Sequence, residues 1–288
     1  MLTLKISKRY ELACGEFSLK LSERTHIMGV LNMTPDSFSD GGEFLDKEIA
    51  FQRAIELERF GADIIDVGGE STRPGSQGVS VTEELERTIP VVSRISRELS
   101  LPVSIDTSKH EVAYEAILAG ASIVNDISGL KSDPDMAKVI ADSKAAVCVM
   151  HMKGSPMNMQ IDPTYEDIIS EITEGLRESI DIATSAGISP DRIVVDPGIG
   201  FGKLIEHNLA IIKELRKFEI LEKPILIGTS RKSFIGNTLG RGVKDRIMGT
   251  AATCAAAILN GASIVRVHDV SEMVDVARMT DAIKRVGL

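Results

Sequence analysis

Eight short apolar runs punctuate this chain, and each ends in polar groups. They are Ile27–Leu31 before Asn32, Ile64–Val67 before Glu70, and Val103–Ile105 before Asp106. Then come Ile123–Val124 before Asn125 and Asp126, and Ala146–Met150 before His151. Last are Ile193–Val195 before Asp196, Ile225–Ile227 before Ser230, Arg231 and Lys232, and Ile264–Val265 before Arg266 and His268. Runs this short and continuous suit strands buried on both faces, as in a parallel sheet. Helical segments alternate with them. The pattern predicts helices over Glu48–Phe60, from Ser108 to Gly120 with Ser108 and Glu111 at capping-box spacing, and from the Ser132–Asp135 start with Pro134 in its first turn. It predicts others over Tyr165–Ala186, Asp245–Leu259, and from Ser271 to Gly287. Eight such units favour a closed (β/α)8 TIM barrel over an open sheet, in one domain spanning 1–288. In a barrel the loops after the strands share one face, so the polar groups above converge there.

Ahead of the repeat, Leu2, Leu4 and Ile6 alternate with polar residues, as do Phe17, Leu19 and Leu21, with Gly15 between. Period two predicts a β-hairpin within 1–23, closing the bottom of the barrel.

Composition narrows the function. A net charge of −9 argues against a nucleic-acid or anionic-membrane partner, so any phosphate must be held by local cations. No run reaches the ~20 residues that span a bilayer. Cys14, Cys148 and Cys254 show no metal or disulfide spacing, and the sequence is read as a cytoplasmic protein.

The strand ends carry the candidate chemistry. The loop from Asn32 through Thr34, Pro35 and Asp36 to Asp40, Gly41 and Gly42 is more polar than a connector needs and suits a loop that covers a substrate. In Asp66–Gly75, Gly68 and Gly69 permit close backbone approach, and Arg73 can reach an anion or simply face solvent. Asp106, Asn125 and Asp196 each follow a strand. Buried carboxylates need donors, and a 2-amino-4-oxo pyrimidine edge offers an amino group and a ring N–H to one carboxylate; helix capping is the alternative. The Gly-rich loop Asp196–Lys203 is neither a Walker A nor a Rossmann fingerprint, and Phe201 within it suggests an exposed aromatic face for a flat ligand. Arg266 and His268 alternate and face one side, good donors for a pyrophosphate beside Asn32. His268 and His151 lack partners at metal-ligand spacing, and Asn32 can hold a divalent ion only together with ligand phosphates and water.

From the Gly29–Gly42 run to Arg266-Val267-His268-Asp269, these segments together resemble the dihydropteroate synthase family. The resemblance implies a TIM-like barrel that condenses 6-hydroxymethyl-7,8-dihydropterin diphosphate with 4-aminobenzoate in folate synthesis. It assigns pterin binding to Asp106, Asn125, Met150, Asp196, Lys232 and Arg266. Diphosphate binding falls to Asn32, Arg266 and His268, with Mg²⁺ held through Asn32. Aminobenzoate binding falls to Thr72, Arg73, Pro74, Phe201, Lys232 and Ser233. Asp40, Lys232, Arg266 and His268 would be catalytic, Asp40 facing the reacting carbon. Sulfonamides are the implied inhibitors and a homodimer the implied assembly. A methyltransferase-type pterin barrel would share the Asp and Asn but would not need the first loop or the Ser230–Ser233 cluster.

Overall fold

The strands carry apolar side chains on both faces, and the two faces go to different places. In the computed structural model, which describes residues 10–33, 42–73, 75–76 and 78–286 (backbone alone for 42–46), eight parallel strands close into a barrel. They are β3 (His26–Asn32), β4 (Ile64–Gly68), β5 (Val103–Asp106), β6 (Ile123–Asp126), β7 (Ala146–Met150), β8 (Ile193–Asp196), β9 (Ile225–Ile227) and β10 (Ala262–Val267). Each neighbour follows in chain order, and β10 pairs with both β3 and β9. The TIM barrel expected from the eight runs is therefore the observed fold.

One parity faces outward. Ile27, Ile65, Val67, Ile105, Val124, Val147, Val195, Ile227 and Val265 join one cluster with helix side chains such as Leu57, Val92, Ile95, Leu176 and Ile211. The covering helices are α1 (Gly42–Arg59), α2 (Val81–Glu98), α3 (His110–Leu118), α4 (Met136–Ala141), α5 (Ile168–Ser185), α6 (Ile205–Lys213), α7 (Ser233–Leu239), α8 (Ile247–Leu259) and α9 (Val270–Arg285). Gly29 has a structural reason on this face. A Cβ there would lie 3.1 Å from Val270 and 3.3 Å from Leu57, so its absence lets α9 and α1 pack close to β3.

The other parity points inward. At the lower end Met28, Ile64, Ile123, Ala146, Cys148, Val194, Leu226 and Ile264 fill the interior. A hairpin closes that end: β1 (Leu12–Cys14) pairs antiparallel with β2 (Phe17–Leu19), and Leu12, Cys14 and Leu21 join the interior cluster. The hairpin is where the alternation placed it, but its first strand is Leu12–Cys14. Leu2–Ile6 lies outside the described residues. The physical reason is proximity: a tight turn at Gly15, whose φ is +59°, pairs the residues immediately on either side.

Local starts differ from expectation in two helices. Ser108 does not cap α3. The His110 N–H donates instead to Asp133 Oδ2 at 2.8 Å, so a carboxylate from the next loop supplies the acceptor that Ser108 was expected to provide. Pro134 precedes α4 rather than sitting in its first turn, because Asp133 Oδ1 accepts from the Asp135 N–H and holds the chain in a turn before the helix begins. The α2, α6 and α7 helices complete the expected alternation at places where the sequence pattern had set no helix bounds.

All three cysteines are buried and free. No described helix is long and apolar enough to cross a membrane.

Candidate active site

The upper interior of the barrel reverses the chemistry of the lower. Strand register aligns Asn32, Gly68, Asp106 and Asn125 in one row across β3 to β6, and Met150 with Asp196 across β7 and β8. Gly68 is the gap in that row. A Cβ there would meet Asp106 at 3.5 Å and Asn32 Oδ1 at 3.8 Å, so the missing side chain leaves space between them.

Arg266, on β10, organises the pocket. Its Nε donates to Asp66 Oδ2 at 2.6 Å and its Nη2 to Asp106 Oδ2 at 2.7 Å. Asn125 Nδ2 donates to the same Asp66 oxygen at 3.3 Å. Burial disfavours the Arg266 charge, but Asp66 and Asp106 outweigh that and hold it firmly protonated. Burial raises Asp106 to about 7, against the pull of Arg266 and helped by the Asp66 charge. Asp66 Oδ1 and Ser104 Oγ, on register-paired residues, are buried without a partner. Asp66 had no assigned role in the sequence. Its signal was there: an Asp inside an apolar run, at inward parity, must find a cation.

Asp196 closes the opposite side. Burial raises its pKa, while Lys232 and the Gly198 N–H, which donates at 2.7 Å, favour the anion. Asp196 does not cap the following helix, since α6 begins only at Ile205; its Oδ1 holds the turn at Gly198 instead. Lys232 donates to the Ile199 carbonyl and lies 4.7 Å from the centre of the Phe201 ring. Burial lowers it to about 8. Phe201 does not offer an open aromatic face. It is 9 % exposed, covered by that ammonium and packed with Ile127, Met150 and Met159. An apolar ring in a mouth otherwise lined by charge gains more from thioether and aliphatic contacts than from water.

The cationic residues gather on the β9–β10 side. The β10 strand ends at Val267, so His268 lies just beyond it, yet at the same mouth as Arg266. The Ser230 hydroxyl lies 3.0 Å from His268 Nδ1 and accepts from its backbone N–H at 3.2 Å. Burial first, then Arg266, Arg231 and Arg73, push His268 down to about 3, so it is neutral. Ser230 was named in the cluster after β9 but given no role of its own; its place beside the cations was the available signal.

The aminobenzoate set is the least gathered. Thr72 is half-buried, Arg73 is exposed, and Ser233 opens α7 on the exposed rim. Asp40 and Pro74 lie outside the described residues. The loop bearing Arg73 is nevertheless anchored: Gly75 N–H donates to Pro156 O at 3.0 Å, and Arg87 Nη1 to Gly69 O at 2.9 Å. Gly69 has the close approach expected of it, with a Cβ there only 2.7 Å from Thr88.

A metal site fits only in the form the donors permit. Asn32 offers one neutral amide oxygen at the mouth. Among the described residues, the only triad of His, Cys or acidic side chains able to share an ion is His110, Asp133 and Asp135, which is not assigned to this pocket. A single amide oxygen suits Mg²⁺ that arrives with phosphate oxygens and keeps water ligands.

The sequence and fold have relatives. A family model described as pterin binding enzyme matches residues 28–268. The dihydropteroate synthase of Synechocystis is 46 % identical over 275 residues, covering 95 % of each chain. Among solved structures, the Clostridium difficile dihydropteroate synthase in the presence of pteroic acid superposes with a TM-score of 0.87 at 49 % identity, covering 92 % of this chain and 98 % of that one. The Yersinia pestis dihydropteroate synthase with a sulfonamide drug complex gives 0.91 at 40 % identity, covering 96 % and 100 %. With this barrel, this mouth and these relatives, the chain belongs to the dihydropteroate synthase family of pterin-binding enzymes.

Proposed function

We propose that this chain joins 6-hydroxymethyl-7,8-dihydropterin diphosphate to 4-aminobenzoate, giving 7,8-dihydropteroate and pyrophosphate. The carrying observation is the set of buried acceptors Asp106, Asn125 and Asp196, facing one mouth with Arg266, Lys232 and His268. Relatives determined with pteroic acid and with a sulfonamide support the same reading.

In this reading the N–H-rich edge of the pterin binds the carboxylates of Asp106 and Asp196 and the amide of Asn125, against Met150. Those carboxylates are already desolvated, so a donor-rich ring replaces what burial removed. The carbon–oxygen bond to the diphosphate breaks with its electron pair on the leaving group, and the cation that remains delocalises into the pterin. The arylamine nitrogen attacks that carbon and then loses its proton. It is already a neutral nucleophile, so no strong general base is needed. Arg266 and the Nε2–H of neutral His268 hold the departing pyrophosphate. Its negative charge would pull the His268 pKa upward, strengthening the contact. Mg²⁺, carried with the diphosphate and held through Asn32, would neutralise part of the leaving-group charge. Asp40 is the acid assigned to stabilising the cation. Thr72, Arg73, Pro74, Phe201, Lys232 and Ser233 receive the aminobenzoate, whose carboxylate suits Arg73, and sulfonamides would compete there.

The reading also makes the chain a cytoplasmic homodimer. Exposed Leu239, Met248, Leu259, Met279 and Ile283 on α7 to α9 support an apolar contact between copies. Light scattering should return twice the 31.1 kDa chain mass.

The test is pyrophosphate release from the dihydropterin diphosphate with and without 4-aminobenzoate. Release that depends on the amine, with dihydropteroate formed in equal amount, is expected. Methyl transfer from a reduced folate without pyrophosphate release would favour the methyltransferase alternative.

A further inference from the structure

Lys203 is 3 % exposed, yet it is a lysine in a Gly-rich loop at a barrel mouth. Its Nζ donates to Phe201 O at 2.9 Å and to His151 O at 3.2 Å, and it lies 3.1 Å from His151 Nδ1. Three donors meet three acceptors, so an ammonium here is fully satisfied, although burial lowers it to about 7 against the pull of Asp196. The third contact requires His151 to present a lone pair at Nδ1. Burial and the Lys203 charge hold that ring neutral, at about 3, as the geometry demands.

The contact joins two loops. His151 follows β7, and Phe201 lies in the loop after β8. At two glycines these loops come together backbone against backbone. A Cβ on Gly198 would fall 1.9 Å from His151 O, and one on Gly202 would fall 2.4 Å from Lys153 O. Behind them, α5 carries Gly175 in mid-helix, where a Cβ would lie 2.8 Å from His151 Cδ2. Glycine is a poor helix residue, and here it makes room for that ring. The loop so fixed presents Ile199 O, which accepts from Lys232, and the Phe201 ring beneath the same ammonium.

We infer that Lys203 is a positioning residue for the aminobenzoate half of the site: with His151 it locks the β8 loop to the exit of β7, and through Ile199 O and Phe201 it fixes Lys232. Asp106, Asn125 and Asp196 stand on strands held by the sheet ladder, so the pterin half depends on this lock only through Lys232 and through the Gly198 N–H on Asp196, and less than the aminobenzoate half does. The inference rests on the proposed reaction.

The experiment compares Lys203→Met and Gly175→Ala with the unsubstituted protein. Lys203→Met keeps the stem and removes the ammonium. Gly175→Ala acts from outside the loop, improving α5 while displacing the His151 ring. The expected result is a rise in KM for 4-aminobenzoate of about tenfold for Lys203→Met, the scale of one lost hydrogen bond to a charged group, and a smaller rise for Gly175→Ala. In both variants kcat at saturating 4-aminobenzoate should hold, and the calorimetric affinity for 6-hydroxymethylpterin should fall by much less than the KM for 4-aminobenzoate rises. A uniform loss of stability would lower pterin binding by as much. Equal loss of both affinities, or an unchanged KM in an active protein, would overturn the inference alone. No turnover by the unsubstituted protein would overturn the functional reading and this inference with it.

Discussion

The two ends of the barrel interior are built from the same strands and the same parity, yet they obey opposite rules. Below, Met28, Ile64, Ile123, Cys148, Val194, Leu226 and Ile264 pack under the hairpin in an apolar plug. Two residues further along β4, β6, β8 and β10 stand Asp66, Asn125, Asp196 and Arg266, and Asp106 ends β5 in register with Asn125. Apolar burial stabilises a fold without needing particular partners. Buried charge costs free energy unless each group finds its complement. Here Arg266 serves two carboxylates, while Asp66 Oδ1 and Ser104 Oγ remain without partners. The lower end supports the structure. The upper end is incompletely satisfied by the protein itself, and the proposed function assigns its outermost acceptors, Asp106, Asn125 and Asp196, to a donor-rich ligand.

That contrast can be broken. The largest effect is expected from Arg266→Met, which strips Asp66 and Asp106 of their shared cation. Removing one partner of a buried ion pair costs about 3–5 kcal/mol. Chemical denaturation should show a fall of that order, and turnover should drop by about 10²–10³-fold with the lost leaving-group donor. Ile64→Ala, at the lower end, should cost about 2–5 kcal/mol. Its kcat/KM per folded molecule should be unchanged, since no ligand group reaches that layer. A matching loss of activity there would erase the distinction between the two ends. Asp106→Asn should weaken 6-hydroxymethylpterin binding by about 10–100-fold, the range for a hydrogen bond to a charged group.

The smallest effect concerns pH. Asp106 titrates at about 7 in the fold against 3.8 for an ordinary Asp, because burial disfavours its anion. Its folded form therefore holds its proton longer than the unfolded chain. The stability it contributes is fully present below about pH 4 and is lost as pH rises through about 7. Ligand binding runs the other way, since the pterin edge needs the anion as acceptor. Affinity for 6-hydroxymethylpterin should fall by about tenfold per pH unit below the Asp106 pKa, and Asp106→Asn should remove that dependence. Titration calorimetry across the range checks both.

Much of this was legible because strands buried on both faces leave continuous apolar runs, and because barrel topology forces their carboxyl ends together. The residues after those runs gave Asn32, Asp106, Asn125, Asp196 and Arg266 directly. What escaped has physical causes. The α2 helix contains Pro90, which weakens any helical pattern, and α7 has only seven residues, too few for periodicity to show. The pairing of Asp66 with Arg266 spans 200 residues and could only come from closure of the barrel. Lys203 drew no reading beyond its place at the end of a Gly-rich loop; nothing local to the sequence shows that two carbonyls and a histidine surround it. Phe201 was misjudged for the same reason, because its cover comes from Lys232 and from methionines on other elements.

The most direct measurement is calorimetric binding of 6-hydroxymethylpterin to the unsubstituted protein, Asp106→Asn and Asp196→Asn. The account requires one site per chain, weakened at least about tenfold in each variant with folding intact. Undiminished affinity in both would mean that the buried acceptors of the upper barrel serve something other than a pterin.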